Sequence, residues 1–151
     1  MRQLTGVIAG LTVAISFWAC LPFSHTYNTS PPIVGVYRAE TGEPLGGVQL
    51  AIATVDGDSL CGSPAVQTTT DSAGTFSLPG TEVHEAVTIL LGIDRVYGYT
   101  FCARVAGIMR FVFKEHTGVS PTASFATTPV SLTCIESRTP NTAPVVCTKE
   151  R

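Results

Sequence analysis

The chain has 151 residues, a formal charge of −2 and a mean hydropathy of +0.31, and only 13% of its residues are charged. That length fits one ordinary domain plus a short extension. The mild acidity and the lack of any basic run argue against nucleic acid, which requires a basic stripe to displace phosphate counterions, and against a patch for anionic lipid.

In chain order, the opening MRQLTGVIAGLTVAISFWAC begins with Arg2, stays uncharged from Leu4 to Trp18 and closes on Ala19-Cys20. Those are the three parts of a secretory leader. The segment resembles a bacterial lipoprotein signal peptide, with Phe17 and Trp18 where that family usually has Leu and a small residue. The resemblance implies lipidation of Cys20, a mature chain beginning there, and attachment to the membrane through the lipid. Leu21, in the place where Asp favours inner-membrane retention in Gram-negative lipoproteins, implies the outer membrane. Two other readings of the same residues stand. Leu4 to Phe23 carries no charge and is long enough to remain as an uncleaved anchor. Ala14-Ile15-Ser16 has the small-x-small form of an ordinary signal-peptidase site. All three place the remainder outside the cytoplasm, and loss of Arg2 takes the formal charge to −3. Leu21 to Pro32 has the Ser/Thr/Asn/Pro content of a flexible tether, and Asn28-Thr29-Ser30 fits a glycosylation sequon.

With Cys20 set aside, Cys61, Cys102, Cys134 and Cys147 are an even number in an oxidising space. Pro129–Thr133 and Pro144–Thr148 can lie side by side as a hairpin, which favours Cys134–Cys147; Cys61–Cys102 follows by elimination. Chain entropy gives about 3 kcal/mol for the shorter loop and about 4 kcal/mol for the longer. No Cys-x-x-Cys is present, and His25, His84 and His116 are isolated, so no metal site or cofactor is expected.

The ordered part is expected over residues 33–149. Strands are predicted at Ile33–Arg38, Val48–Thr54, Ala65–Thr70, Gly74–Leu78, Ala86–Leu91, Tyr97–Val105, Ile108–Lys114, Ala123–Ala126, Pro129–Cys134 and Pro144–Thr148, bounded mostly by Gly, Pro and Asp turns. Glu82–Gly92 reads as a helix or, through Thr88–Leu91, as a buried strand. Many short strands at close spacing predict an all-β antiparallel sandwich.

Two patterns carry a further resemblance. Gly35, Gly42, Pro44, Leu45, Gly47 and Leu50 fall in register with Gly-x-Val-x-Asp-x-x-Gly-x-Pro-Leu-x-Gly-Ala-x-Val, with Tyr37 and Ala39 replacing Val and Asp. Thr70, Asp71, Gly74 and Phe76 match the Thr-Asp-x-x-Gly-x-Phe that follows. Together they resemble the carboxypeptidase regulatory-like domain, which implies a transthyretin-like (prealbumin-like) β-sandwich and a structural, protein-binding or carbohydrate-binding role. Backbone physics accounts for these residues without chemistry. Gly42, Gly47 and Gly74 permit left-handed angles, Pro44 fixes its own φ, and Asp71 accepts amides across its own turn. Asp71-Ser72-Ala73-Gly74 is thus expected to be a hairpin bend.

Chemistry is sought elsewhere. Gly57-Asp58-Ser59-Leu60 spells the nucleophile motif of GDSL esterases, but the Gly-x-Asn-Asp and late Asp-x-x-His blocks of that family are missing. Asp56 and Asp58 lack the spaced series of a calcium loop. The chain ends VVCTKER, not the Tyr-Arg-Gly-Ser of hydroxyisourate hydrolases. Tyr97 and Tyr99 offer a possible binding face, with core packing as the alternative. The expectation is a non-catalytic, lipid-anchored binding or accessory module with a protein or carbohydrate partner. A periplasmic immunity or inhibitor protein and a small hydrolase using Ser59 or His84 are the alternatives.

Overall fold

The computed structural model describes residues 23–54, 61–87, 96–120, 123–137 and 144–150. Within them lie ten strands and no helix: β1 (Phe23–Ser30), β2 (Ile33–Ala39), β3 (Gln49–Thr54), β4 (Pro64–Thr69), β5 (Thr75–Leu78), β6 (Thr81–Val87), β7 (Gly98–Val105), β8 (Ile108–His116), β9 (Val130–Glu136) and β10 (Val145–Lys149). The alternation that signals them is plainest in β5, where Phe76 and Leu78 are buried and Thr75 and Ser77 exposed, as the two-residue repeat of a strand requires.

A front sheet runs β10-β9-β2-β5, a back sheet runs β4-β3-β7-β8, and β1 and β6 form a separate two-stranded ribbon. The front and back sheets share one core, in the manner of a β-sandwich. Ile33, Tyr37, Phe76, Leu78, Leu132 and Cys134 of the front sheet meet Leu50, Ile52, Tyr99, Phe101 and Ala103 of the back sheet. Phe76 faces Phe101 across the layers with ring centroids 6.1 Å apart, and Phe101 stacks on Phe113 at 5.2 Å. One pairing departs from the antiparallel expectation: β2 runs parallel to β9 from Ile33↔Val130 to Ala39↔Glu136. A parallel pair requires a long crossover, and here β3 to β8 all lie between its two strands in the chain.

Four local expectations are corrected. Leu21 to Pro32 is no tether from Phe23 onward. It is β1, paired with β6 from Phe23↔Val87 to Ser30↔Thr81. Pairing in this register also overturns the helix reading across Glu82 to Val87; residues 88–92 lie outside the described part. Ala123–Ala126 makes no strand. It docks on the outer edge of β1 by a single rung, in which the Phe125 amide donates to the Asn28 carbonyl and the Asn28 amide donates to Ser124 Oγ (both 2.9 Å). The side-chain amide of Asn28 donates to the Phe125 carbonyl, so the half-buried sequon asparagine is engaged within the fold.

The fourth correction concerns Asp71-Ser72-Ala73-Gly74. It is a bend, but β4 pairs with β3 in the back sheet and β5 with β2 in the front sheet. The bend therefore carries the chain from one layer to the other and joins no hairpin. Thr70, 4% exposed, enters it with every polar group engaged. Its amide donates to the Val48 carbonyl and its carbonyl accepts from the Gly47 amide; its hydroxyl donates to the Leu45 carbonyl (2.7 Å) and accepts from the Val48 amide (3.0 Å). Asp71 Oδ1 accepts from the Ala73 and Thr75 amides at 2.9 and 2.8 Å. The Gly74 carbonyl then takes the Tyr37 amide at 2.7 Å.

Both disulfides close as Cys61–Cys102 and Cys134–Cys147. The second joins directly opposed residues of the β9–β10 hairpin.

Gly74 and Gly42 separate two kinds of glycine. Both have positive φ, 73° and 87°, but a Cβ on Gly74 would overlap the Tyr37 carbonyl oxygen, whereas one on Gly42 would meet nothing within 4 Å. Gly42→Ala is expected to cost about 1 kcal/mol, the left-handed penalty alone. Gly74→Ala is expected to cost about 3 kcal/mol, because the bend must shift as well. Urea unfolding of the two variants checks this, and equal losses would show that the bend relaxes freely.

Candidate functional site

The strands of the ribbon alternate. Along β6, Thr81, Val83 and Glu85 are half-buried, and Glu82, His84 and Ala86 are exposed. Opposite Val83 stands Tyr27, 2% exposed, whose ring lies 5.5 Å from that of Tyr97. Tyr97 is clamped at the start of the back sheet: its amide donates to Thr117 Oγ1 and its carbonyl accepts from the Thr117 amide. Between this face of the ribbon and the edge strand β4 opens a cleft of about 570 Å³, lined by Thr29, Val66, Glu82, Glu85, Val96 and Tyr97 among others. The Tyr97 hydroxyl donates to Glu85 Oε2 at 3.3 Å. The cleft thus combines an aromatic face, apolar valines, threonine hydroxyls and the Glu85 carboxylate, with Glu82 at its rim. Such a mixture binds ligands that present an apolar surface next to hydrogen-bond donors.

Tyr97 and Tyr99 do not form one face. Tyr97 precedes β7, outside its ladder, and turns to the cleft. Tyr99 has no exposure and packs edge-on against Phe113 and Phe125 at 6.1 and 5.2 Å. The strict alternation expected of β7 also breaks at a register shift between Phe101 and Cys102, and both of those residues are fully buried.

Cys20, Asp56, Asp58 and Ser59 lie outside the described residues. Gly42, Pro44, Gly47, Asp71 and Gly74 sit together in the turns between the layers, where the roles of their backbones are those given above. His84 is on the solvent side of the ribbon, hydrogen-bonded through Nδ1 to Thr26 Oγ1 (2.7 Å), with Nε2 3.7 Å from Glu82 Oε1. This hydroxyl–imidazole–carboxylate line superficially suggests a nucleophile and its base. The carboxylate contact is too long for a hydrogen bond, and His84 and Glu82 are 68% and 60% exposed, where water weakens their coupling. Among the described residues no group of three His, Cys, Asp or Glu is placed to hold a metal ion.

Glu82, Glu85 and Thr29 escaped the sequence reading because their strands were taken for a possible helix and a tether. The signal was present in Thr81-Glu82-Val83-His84-Glu85-Ala86-Val87, where Val83 and Val87 share one face and Glu82 and His84 the other.

Two buried phenols make an electrostatic test possible. Tyr37 Oη donates to Glu136 at 2.9 Å and Tyr99 Oη to Glu115 at 3.1 Å. Burial chiefly, then for Tyr37 the hydrogen bond and charge of Glu136 and for Tyr99 the charge and hydrogen bond of Glu115, push both hydroxyls far above the ordinary phenol range. The folded pKa is raised above the unfolded value of about 10. The stabilisation is therefore complete below that pH and is lost as pH rises above it. Stability should fall by about 1.4 kcal/mol per pH unit for each phenol in that range. Denaturant titrations of Tyr37→Phe and Tyr99→Phe at successive alkaline pH values should each show a correspondingly shallower loss. An unchanged slope would mean that the phenols ionise within the fold.

No protein-family model, no curated protein and no solved structure matches this chain.

Proposed function

We propose that the chain is a non-catalytic envelope lipoprotein, anchored through lipid on Cys20 at the bacterial outer membrane, whose sandwich is a carboxypeptidase regulatory-like, transthyretin-like binding or accessory module for a protein or carbohydrate of the envelope. The observation that carries the binding role is the cleft beside Tyr97, with its exposed Val96 and Glu82 at the rim. The two disulfides accord with an oxidising compartment. The family reading is supported by where the motif residues fall: they are spent on turns and layer crossings, which leaves the cleft wall to vary with the ligand.

Two measurements test this. The intact mass of the native product should correspond to a chain beginning at Cys20 with a diacylglycerol modification; an unmodified chain retaining Met1 would refute the anchor. Affinity capture from the native envelope should then retain a partner that is lost, by about tenfold or more in affinity, in Glu82→Lys and in Val96→Asp. Both substitutions are at exposed positions, so the fold should survive. Ile108→Asp, exposed on β8, should leave capture unchanged. Equal capture by all four proteins would remove the cleft from the function.

A further inference from the structure

We propose that the β1–β6 ribbon docks on the phospholipid surface by the end at which Phe23 pairs with Val87 and Ser24 with Ala86, so that the domain sits on the membrane instead of moving on a tether. The inference rests on the lipid anchor at Cys20 proposed above.

Distance along the chain decides it. A tether through Pro32 would reach roughly 40 Å when extended, but β1 begins three residues after Cys20, which allows about 11 Å at most. The polar headgroup layer is itself about 5–8 Å deep on each side of the hydrocarbon. Lipid seated at Cys20 therefore brings the first register pair of the ribbon to the headgroups.

The ribbon is also fixed to the body, so the constraint passes to the whole domain. The ribbon's two strands are first tied to each other: Ser30 Oγ of β1 accepts from the Thr81 amide and hydroxyl of β6 at 3.0 and 2.9 Å. Thr29 and Thr81 hydroxyls bond each other at 2.7 Å. The outer edge of β1 is held by Ser124 and Phe125, and Tyr27 packs on Tyr97. The chemistry of the end suits its place. Neither Phe23↔Val87 nor Ser24↔Ala86 contains a charge, and the first titratable pair, His25↔Glu85, comes two residues further along, about 7 Å higher on the strand. Uncharged residues lose little on approaching the interface, whereas a charge there would have to be desolvated.

The sole tryptophan of the sequence, Trp18, precedes Cys20, so in a chain that begins at Cys20 a single introduced tryptophan reports its own surroundings. The lipidated protein bearing Ser24→Trp, Ala86→Trp or, as control, Thr41→Trp beyond the far end of β2 is reconstituted in phosphatidylethanolamine–phosphatidylglycerol vesicles containing brominated lipid. Ser24→Trp and Ala86→Trp should be blue-shifted, quenched several-fold more by the bromolipid than Thr41→Trp, and protected from aqueous iodide. The paired probes guard against one substitution disturbing the ribbon. If the mass confirms the lipid but all three probes respond alike, the docking is overturned and the anchor stands. A chain without lipid overturns the anchor, and the docking falls with it.

Discussion

Thr70 spends its amide, carbonyl and hydroxyl on the single segment Leu45–Val48. It does so at the point where the chain leaves the back sheet for the front. A crossing between layers must take backbone polar groups through the edge of the core, and each left without a partner there costs about 1–3 kcal/mol. Thr70 meets that demand on the side of β3, Asp71 closes the bend on itself, and the Gly74 carbonyl receives the Tyr37 amide so that β5 arrives beside β2. The close approach leaves no room for a Cβ at Gly74. Placement of both sheets follows from this junction, because β3 and β4 are fixed by one half of it and β2 and β5 by the other.

The back sheet has a second requirement. Leu50 and Ile52 face the core, yet Ala51 and Ala53 on the opposite side of β3 are 1% and 2% exposed, and Thr100 and Cys102 of β7 are as deeply buried. This outer face is covered, and it is built of small side chains that admit a cover at close range. Cys61 reaches it by its bond to Cys102. The bond spans a sequence separation of 41, so chain entropy assigns it about 4 kcal/mol, comparable with the net stability of a small domain.

What could be read from the residues, and what could not, follows from where the apolar signal lies. Strands with one face in the core announced themselves: Phe76 and Leu78 against Thr75 and Ser77, or Leu132 and Cys134 against Ser131 and Thr133. The Cys134–Cys147 bond followed from Pro129–Thr133 and Pro144–Thr148 lying side by side as a hairpin. Pairing was another matter. β4 and β5 are separated by a short Asp-Gly bend and look like a hairpin, but their partners are chosen by β3 and β2, which are remote in sequence. The ribbon gave the weakest signal of all. It buries Tyr27, Thr29 and Ser30, mostly by hydrogen bonding, so its sequence shows polar alternation and little hydrophobicity. The cleft was hidden for the same reason, since Glu85 meets Tyr97 only when Tyr27 lies opposite Val83.

Under the proposed function the ribbon would have two duties that constrain each other. Its inner face supplies Thr29, Thr81 and Glu85 to the cleft, and its first residue, Phe23, is three positions after Cys20 in the chain. A strand cannot bend freely along its length while its ladder and its edge are both hydrogen-bonded, so the two duties are geometrically coupled. Lipid at Cys20 would therefore fix the direction in which the cleft opens as well as its height above the bilayer. A loose linker would let the module search a wide volume for its partner. A paired strand held by such a lipid would confine it to partners presented at the membrane surface, and in return would lose less orientational entropy when one binds.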